Sequence, residues 1–254
     1  MLVDSHAHLQ WASFDKDLEE VIRRAREVGV KYIVDIGFDV DGSRRAVGLA
    51  ERYEGLYATV GVHPHNAGQF NDDVLDELRL LSEHGKVVAV GEIGLDYYRN
   101  LSSRTAQKKA FEAQLGLAEE LGLPVVVHDR DAHRDVLEIL SRFEGRIEGM
   151  MHCFSGSREL AERCLRSGFY ISFAGPVTFP NARRLQAIAK WINLDKILLE
   201  TDSPWLAPQE KRGKRNEPAF LPFTAEKIAK LKRISVDELG EATTRNAKEI
   251  FQIE

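Results

Sequence analysis

The chain has 254 residues, with 35 Lys and Arg against 40 Asp and Glu and a formal net charge of −5 at pH 7. At 43% hydrophobic and 30% charged residues it has material for a full core and a solvated shell, which excludes disordered and fibrous classes. The negative balance excludes a protein that wraps a long duplex, because such affinity comes from many Lys and Arg contacts to phosphate. No apolar run approaches the ~20 residues of a membrane-spanning helix, so no membrane partner is expected. The first residues carry neither a basic nor an apolar leader pattern, and Cys153 and Cys164 make no disulfide framework. A cytoplasmic monomer is the expectation.

Short apolar runs alternate with amphipathic stretches along the chain. Strands are predicted at 2–5, 32–37, 56–62, 87–91, 124–128, 147–152, 169–173 and 196–201. Several of them, such as VVAVG and PVVVH, are almost continuously apolar, the pattern of strands covered on both faces. Between the first two lies DLEEVIRRAREVG, which places Leu18, Val21, Ile22, Ala25 and Val28 on one helical face before Gly29 stops it. QKKAFEAQLGLAEELG reads as a helix ending at Gly122. Ser235 and Glu238 form a capping-box pattern that opens the last helix.

Eight strand–helix units in about 250 residues predict a single-domain (β/α)8 barrel over residues 1–254. A doubly wound open sheet is the alternative. The longest stretch without a pattern is 203–222, rich in proline, where a barrel keeps a functional loop.

Histidines and carboxylates fall where these strands end. His6 and His8 follow the first strand, and side chains two apart on extended backbone point the same way. Glu92, His128, His152 and Asp202 stand at the ends of the fourth, fifth, sixth and eighth strands. In a barrel those ends form one rim, and imidazole with carboxylate is a ligand set for divalent cations. His63 and His65 share the same two-residue spacing and are read as substrate contacts or as support for a ligand. Asp96 is read either as orienting a ligand histidine or as stabilising a turn. His84 and His133 are expected on helices, facing solvent.

The strings DSHAHL, VGVHPH, VGEIGLDYY, HDRDA, HCFSG, ETDSPWLAP and RGKRNEP, in this order, resemble the TatD family of metal-dependent deoxyribonucleases, within the wider amidohydrolase-like metallo-barrels. The resemblance runs from Asp4 to Phe251. It implies two divalent ions (Mg2+, Mn2+ or Zn2+), one held by His6, His8, Glu92 and Asp202 and the other by Glu92, His128 and His152. Many binuclear relatives in the wider superfamily bridge their ions with a carbamylated lysine on the fourth strand. Glu92 stands there instead, and its carboxylate bridges without modification.

A divalent pair lowers the pKa of bound water and clamps attacking and leaving oxygens. The expected activity is hydrolysis of DNA phosphodiesters at single-stranded ends, in the 3'-5' direction, with Glu92 and Asp202 as catalytic carboxylates and Asp202 as the proton shuttle. Lys214 and Arg215, in the densest basic run of the chain, and Arg130 are read as phosphate contacts. Trp205, Tyr97 and Tyr98 are read as stacking surfaces for bases, with a packing role for Trp205 as the alternative. The competing activity is that of an esterase, lactonase or amidase on a small molecule, which would not need the basic run.

Overall fold

The computed structural model describes residues 1–254. Eight parallel strands pair in sequence order: β1 (Leu2–Ala7), β2 (Val30–Asp35), β3 (Leu56–Val60), β4 (Val87–Asp96), β5 (Val125–Arg130), β6 (Gly149–Met151), β7 (Tyr170–Phe173) and β8 (Ile197–Leu199). This is the (β/α)8 barrel, and consecutive pairing with no switch in direction of travel excludes the doubly wound sheet.

The crossovers are α1 (Leu18–Glu27), α2 (Val40–Arg52), α3 (Asp72–Ser82), α4 (Arg104–Leu121), α5 (His133–Ser141), α6 (Arg158–Arg166) and α7 (Arg183–Trp191). Two more, α8 (Leu221–Lys232) and α9 (Val236–Phe251), follow the last strand. Helix ends carry the expected chemistry. Asp39, Asn71, Ser103, Ser157 and Ser235 each accept a backbone N–H of the first turn. Gly122 ends α4 in the left-handed region, where a glycine costs least. α1 buries Val21, Ile22 and Ala25, three members of its predicted stripe. His84 stands in the turn beyond α3, paired with Glu51 at 2.7 Å, so its expected place on a helix is corrected. His133 opens α5 and donates to Asp129.

Alternate strand residues divide into two cores. Val3, Val34, Val88, Val126, Met150, Tyr170 and Leu198 pack together with Ala247, Ile250, Phe251 and Ile253, so the end of α9 plugs the bottom of the barrel. Most of the other apolar strand residues, such as Ile33, Leu56, Val90, Val127, Ile171 and Leu199, belong to the larger core shared with the helices. Each fully buried Val, Leu or Ile contributes about 1.5–3 kcal/mol, which leaves the opposite, open end free to carry polar groups.

Several strands depart from their predicted limits in ways that shape the site. β4 runs on to Asp96, so Glu92 lies inside it and not at its end. Its pairing with β5 shifts register between Val90 and Ile93. Gly94 makes this possible: at φ +142, a Cβ would stand 2.0 Å from the His128 carbonyl oxygen. β5 likewise extends past His128 to Arg130, whereas β6 and β8 end early and leave His152 and Asp202 on the loops just beyond them.

The seam between the first and last strands closes above the end of β8. His8 N–H donates to Ser203 O at 2.8 Å and Asp202 N–H to His6 O at 2.9 Å. Buried Asp4 reinforces it by accepting from the Thr201 amide and hydroxyl. The same bonds that close the barrel therefore set Asp202 beside His6.

Candidate metal centre and its rim

Glu92 occupies the middle of the barrel mouth, and its two oxygens face different partners. Oε2 lies 3.5 Å from His6 Nε2 and 3.6 Å from His8 Nε2. Oε1 lies 2.7 Å from His128 Nδ1, 3.3 Å from His152 Nε2 and 3.6 Å from His63 Nε2. The structure brings all six expected donors together: the one remaining, Asp202, places its Oδ1 3.6 Å from His6 Nε2 and 3.7 Å from His8 Nε2.

These distances test whether the residues suit a cation. His6 Nε2 and His8 Nε2 face each other at 3.1 Å. With His6, His8, Glu92 and Asp202 they complete five edges of a four-cornered cage, 3.1 to 3.7 Å long. A tetrahedral ion with bonds of about 2.0–2.2 Å needs edges of about 3.3–3.6 Å. The cage fits.

Tautomers agree with this fit. His8 Nδ1 meets the Ile36 carbonyl at 2.9 Å, and a carbonyl only accepts, so Nδ1 carries the hydrogen and Nε2 turns its lone pair to the cage. Burial, then the neighbouring His6, pushes His8 down to about 3, so it is the neutral form that waits there. Burial lowers His6 as well. Buried His6 Nδ1 has no partner.

The second cluster is held differently. Burial opposes the charged form of His128, but the carboxylates of Asp96 and Glu92 outweigh it and raise His128 to about 9. Its Nε2 approaches Asp96 Oδ2 at 3.3 Å, so loss of the Nδ1 proton would free that nitrogen while Asp96 keeps the ring in place. Asp96 also accepts from His65 Nε2 at 2.8 Å and from the Arg99 amide, which makes His65 a support for this orienting group. His152 stacks on His6 with ring centroids 3.7 Å apart. Its Nδ1 stands 3.0 Å from Glu200 Oε1, off the line of a good hydrogen bond. Against the penalty of burial, Glu200 and Glu92 hold His152 up at about 10.

His63 is close enough to Glu92 and His128 to complete a donor trio by distance. Its hydrogen bonding argues otherwise. His63 Nδ1 accepts from the His65 amide, and burial keeps the ring neutral, so Nε2 carries the hydrogen and points it into the site.

Two features escaped sequence reasoning. Fully buried Glu200 accepts from the Cys153 amide at 2.7 Å and buttresses His152. Its two-residue spacing from Asp202 is the signal that could have revealed it. Trp11 and Phe38 stand on the rim with ring centroids 5.2 Å apart, and Trp11 lies 5.1 Å from Trp205. No spacing in the chain announces that trio.

The basic run divides. Arg215 meets Asp17 with two hydrogen bonds of 2.6 and 2.8 Å, lies over the Phe14 ring at 4.5 Å, and also donates to Ser13 O. Its expected role at phosphate gives way to a latch, because the guanidinium is already spent. Asn216 donates to Thr201 O and Trp205 O, and Glu217 pairs with Arg24 at 2.6 and 2.8 Å. RNEP thereby ties the Asp202 and Trp205 segment to α1. Lys211 packs over Phe220 and Phe223 and Arg212 over Phe179, while Lys214 stands exposed. Arg130 lies 4.1 Å over the exposed Tyr98 ring, across the mouth from Trp205. Tyr97 is committed elsewhere, donating to Asp135 at 2.6 Å under Arg104.

A (β/α)8 barrel whose mouth gathers imidazoles around a shared carboxylate has the build of a metal-dependent hydrolase. The chain belongs to the TatD family: the family model described as TatD related DNase matches residues 3–252. It is 46% identical over 255 residues to the uncharacterized metal-dependent hydrolase YabD of Bacillus subtilis (strain 168), covering 100% of both chains. It is 38% identical over 259 residues to the 3'-5' ssDNA/RNA exonuclease TatD of Erwinia tasmaniensis, covering 99% of this chain and 100% of that one. The crystal structure of YJJV, a TatD homologue from Escherichia coli K12, superposes with a TM-score of 0.94 at 32% identity, covering 100% of this chain and 98% of the other. No helix is long and apolar enough to cross a membrane.

Proposed function

We propose that this metal-dependent hydrolase cleaves phosphodiester bonds at single-stranded 3' ends of DNA. The observation that carries the reading is Glu92, whose two oxygens each address a separate cluster of imidazoles. That arrangement suits two divalent ions, one held by His6, His8, Glu92 and Asp202 and one by Glu92, His128 and His152. Bound there, such ions acidify water and neutralise the charge of a phosphodiester.

The chain's own groups supply the rest. Asp202 Oδ1 stands 3.6 and 3.7 Å from the His6 and His8 Nε2 atoms, at the edge of the first cluster, where its carboxylate would take the proton of the attacking water. His63 Nε2–H donates to a non-bridging phosphate oxygen, a role its tautomer permits. Arg130 and exposed Lys214 meet the flanking phosphates, contacts that position a strand without reading its sequence. The relative from Erwinia tasmaniensis is named for 3'-5' exonuclease action on single strands, which supports the polarity assigned here.

The test is release of nucleotides from 3'-labelled and 5'-labelled single-stranded DNA with Mg2+ or Mn2+. Early release of the 3' label, abolished by Asp202→Asn, is expected. No release by the wild type, with rapid hydrolysis of a small ester or lactone, would instead establish the small-molecule hydrolase.

A further inference from the structure

Exposed aromatic side chains on this molecule are few, and all of them stand at the barrel mouth. Trp11 is 37% exposed, Trp205 43% and Tyr98 61%. Two of the three belong to one cluster on the β1–β2–β8 side. Trp205 packs edge-on against His8 at 5.2 Å and against Trp11 at 5.1 Å, and Trp11 in turn meets half-buried Phe38 at 5.2 Å. Phe38 closes the chain of rings by approaching His8 at 6.0 Å.

T-shaped and tilted contacts of this kind constrain the tilt of each indole, while more than a third of each tryptophan stays exposed. The backbone beneath is equally constrained, because Asn216 holds the Trp205 carbonyl at 2.6 Å and the 3-10 turn Ala12–Phe14 follows directly on Trp11. An exposed apolar patch of this kind, prearranged and continuous with a catalytic centre, marks a binding surface. Its occupant must have a flat apolar face and must be joined to the group at the cage. An unpaired nucleobase beside the scissile phosphate meets both conditions, whereas a paired base, even at a duplex end, is tied to its partner and stacked on its inner side and must first be unpaired to turn onto the rings.

Building on the proposed phosphodiesterase activity, we infer that Trp11, Phe38 and Trp205 form a stacking platform for an unpaired base next to the scissile phosphate, and that this platform selects single strands over duplex ends. His8 links the two functions physically, since the ring that helps form the cage also carries the edge of Trp205. Selection by stacking is tolerant of base identity.

The test is equilibrium binding of a short 5'-fluorescein single-stranded DNA carrying phosphorothioates at its terminal linkages, in Mg2+, alongside hydrolysis of the unmodified strand. Trp11→Ala and Trp205→Ala should each weaken binding on the order of tenfold, and the phenylalanine variants should restore most of it. An abasic nucleotide at one of the 3'-terminal positions should cost the wild type as much as Trp205→Ala does, and should cost that variant nothing more. Alanine variants that melt like the wild type and bind the strand equally well overturn the platform, as does a wild type indifferent to abasic nucleotides throughout the 3' end. The latter comparison needs no variant to fold. Nucleotide release with no dependence on either tryptophan refutes the platform and leaves the hydrolase reading standing. Tryptophan-dependent binding without release does the reverse.

Discussion

Arg215→Ala distinguishes a latch from a phosphate clamp, and the structure sets the size of the effect. The guanidinium makes two charge-assisted hydrogen bonds to Asp17 at 2.6 and 2.8 Å and covers the Phe14 ring at 4.5 Å. Both partners of the ion pair are about one-third exposed, so solvent screening limits their coupling to about 1 kcal/mol. The cation–π contact adds about 0.5–1 kcal/mol, for a total near 2 kcal/mol. In a chain of this size each kcal/mol moves the melting temperature by about 2–4 °C, so a fall of about 4–8 °C is expected. Asp17→Asn should account for roughly half of that loss, and the double variant should show about 1 kcal/mol of coupling. Scanning calorimetry or circular dichroism gives the melting temperatures, and KM for a single-stranded oligonucleotide is measured on the same samples. An Arg215→Ala protein that melts like the wild type but shows a KM raised tenfold would refute the latch and restore the clamp.

Other predictions follow from the same geometry. Lys214→Ala, at an exposed position, should leave the melting temperature unchanged and reduce the salt dependence of strand binding by about 0.7 in log–log slope, one single-strand phosphate contact; an unchanged slope removes Lys214 from the interface. Mn2+ or Zn2+ at about 100 times its Kd should stabilise the wild type by about 2.7 kcal/mol, and Glu92→Gln should lose most of that shift in a thermal melt, since Glu92 faces both clusters. An equal shift in both proteins would show that Glu92 holds no ion. Glu200→Gln should weaken metal binding about ten- to hundredfold, read by competition with a chromophoric chelator, because His152 loses its charged buttress. Asp35 is buried, accepts from the Leu9 amide and is raised by burial to about 7. The folded state therefore holds a proton there that the unfolded chain has already lost, and this group costs stability as pH rises from about 4 to about 7. Asp35→Asn lacks that cost, so its urea midpoint relative to the wild type should be higher at about pH 8 than at about pH 5; an unchanged difference refutes the assignment.

The barrel was legible because buried parallel strands must be almost continuously apolar and their crossover helices must be striped, and both patterns survive in one dimension. The gathering of His6, His8, Glu92, His128, His152 and Asp202 at one rim was legible for a related reason. A two-residue spacing such as His6 and His8 survives any fold that leaves that segment extended, and catalytic barrels place chemistry where strands end. Glu200 shares that spacing with Asp202, yet a buried carboxylate beside a barrel strand acquires meaning only once His152 is seen against it.

Arg215 and Trp11 mark the limit from the other side. A run of basic residues reads the same whether its guanidinium faces a substrate or Asp17, which lies 198 residues earlier in the chain. Trp11, Phe38 and Trp205 come from three different loops and have no common period. The amino-acid sequence by itself determined the strand–helix repeat, the residue types gathered at the barrel mouth and the family. Tertiary structure decided which oxygen of Glu92 faces which imidazole, which tautomer His63 presents, and which side chains of the rim are free. Those outcomes depend on closing the barrel at the Ala7–Ser203 seam, where the first and last strands meet and residues nearly two hundred positions apart become neighbours.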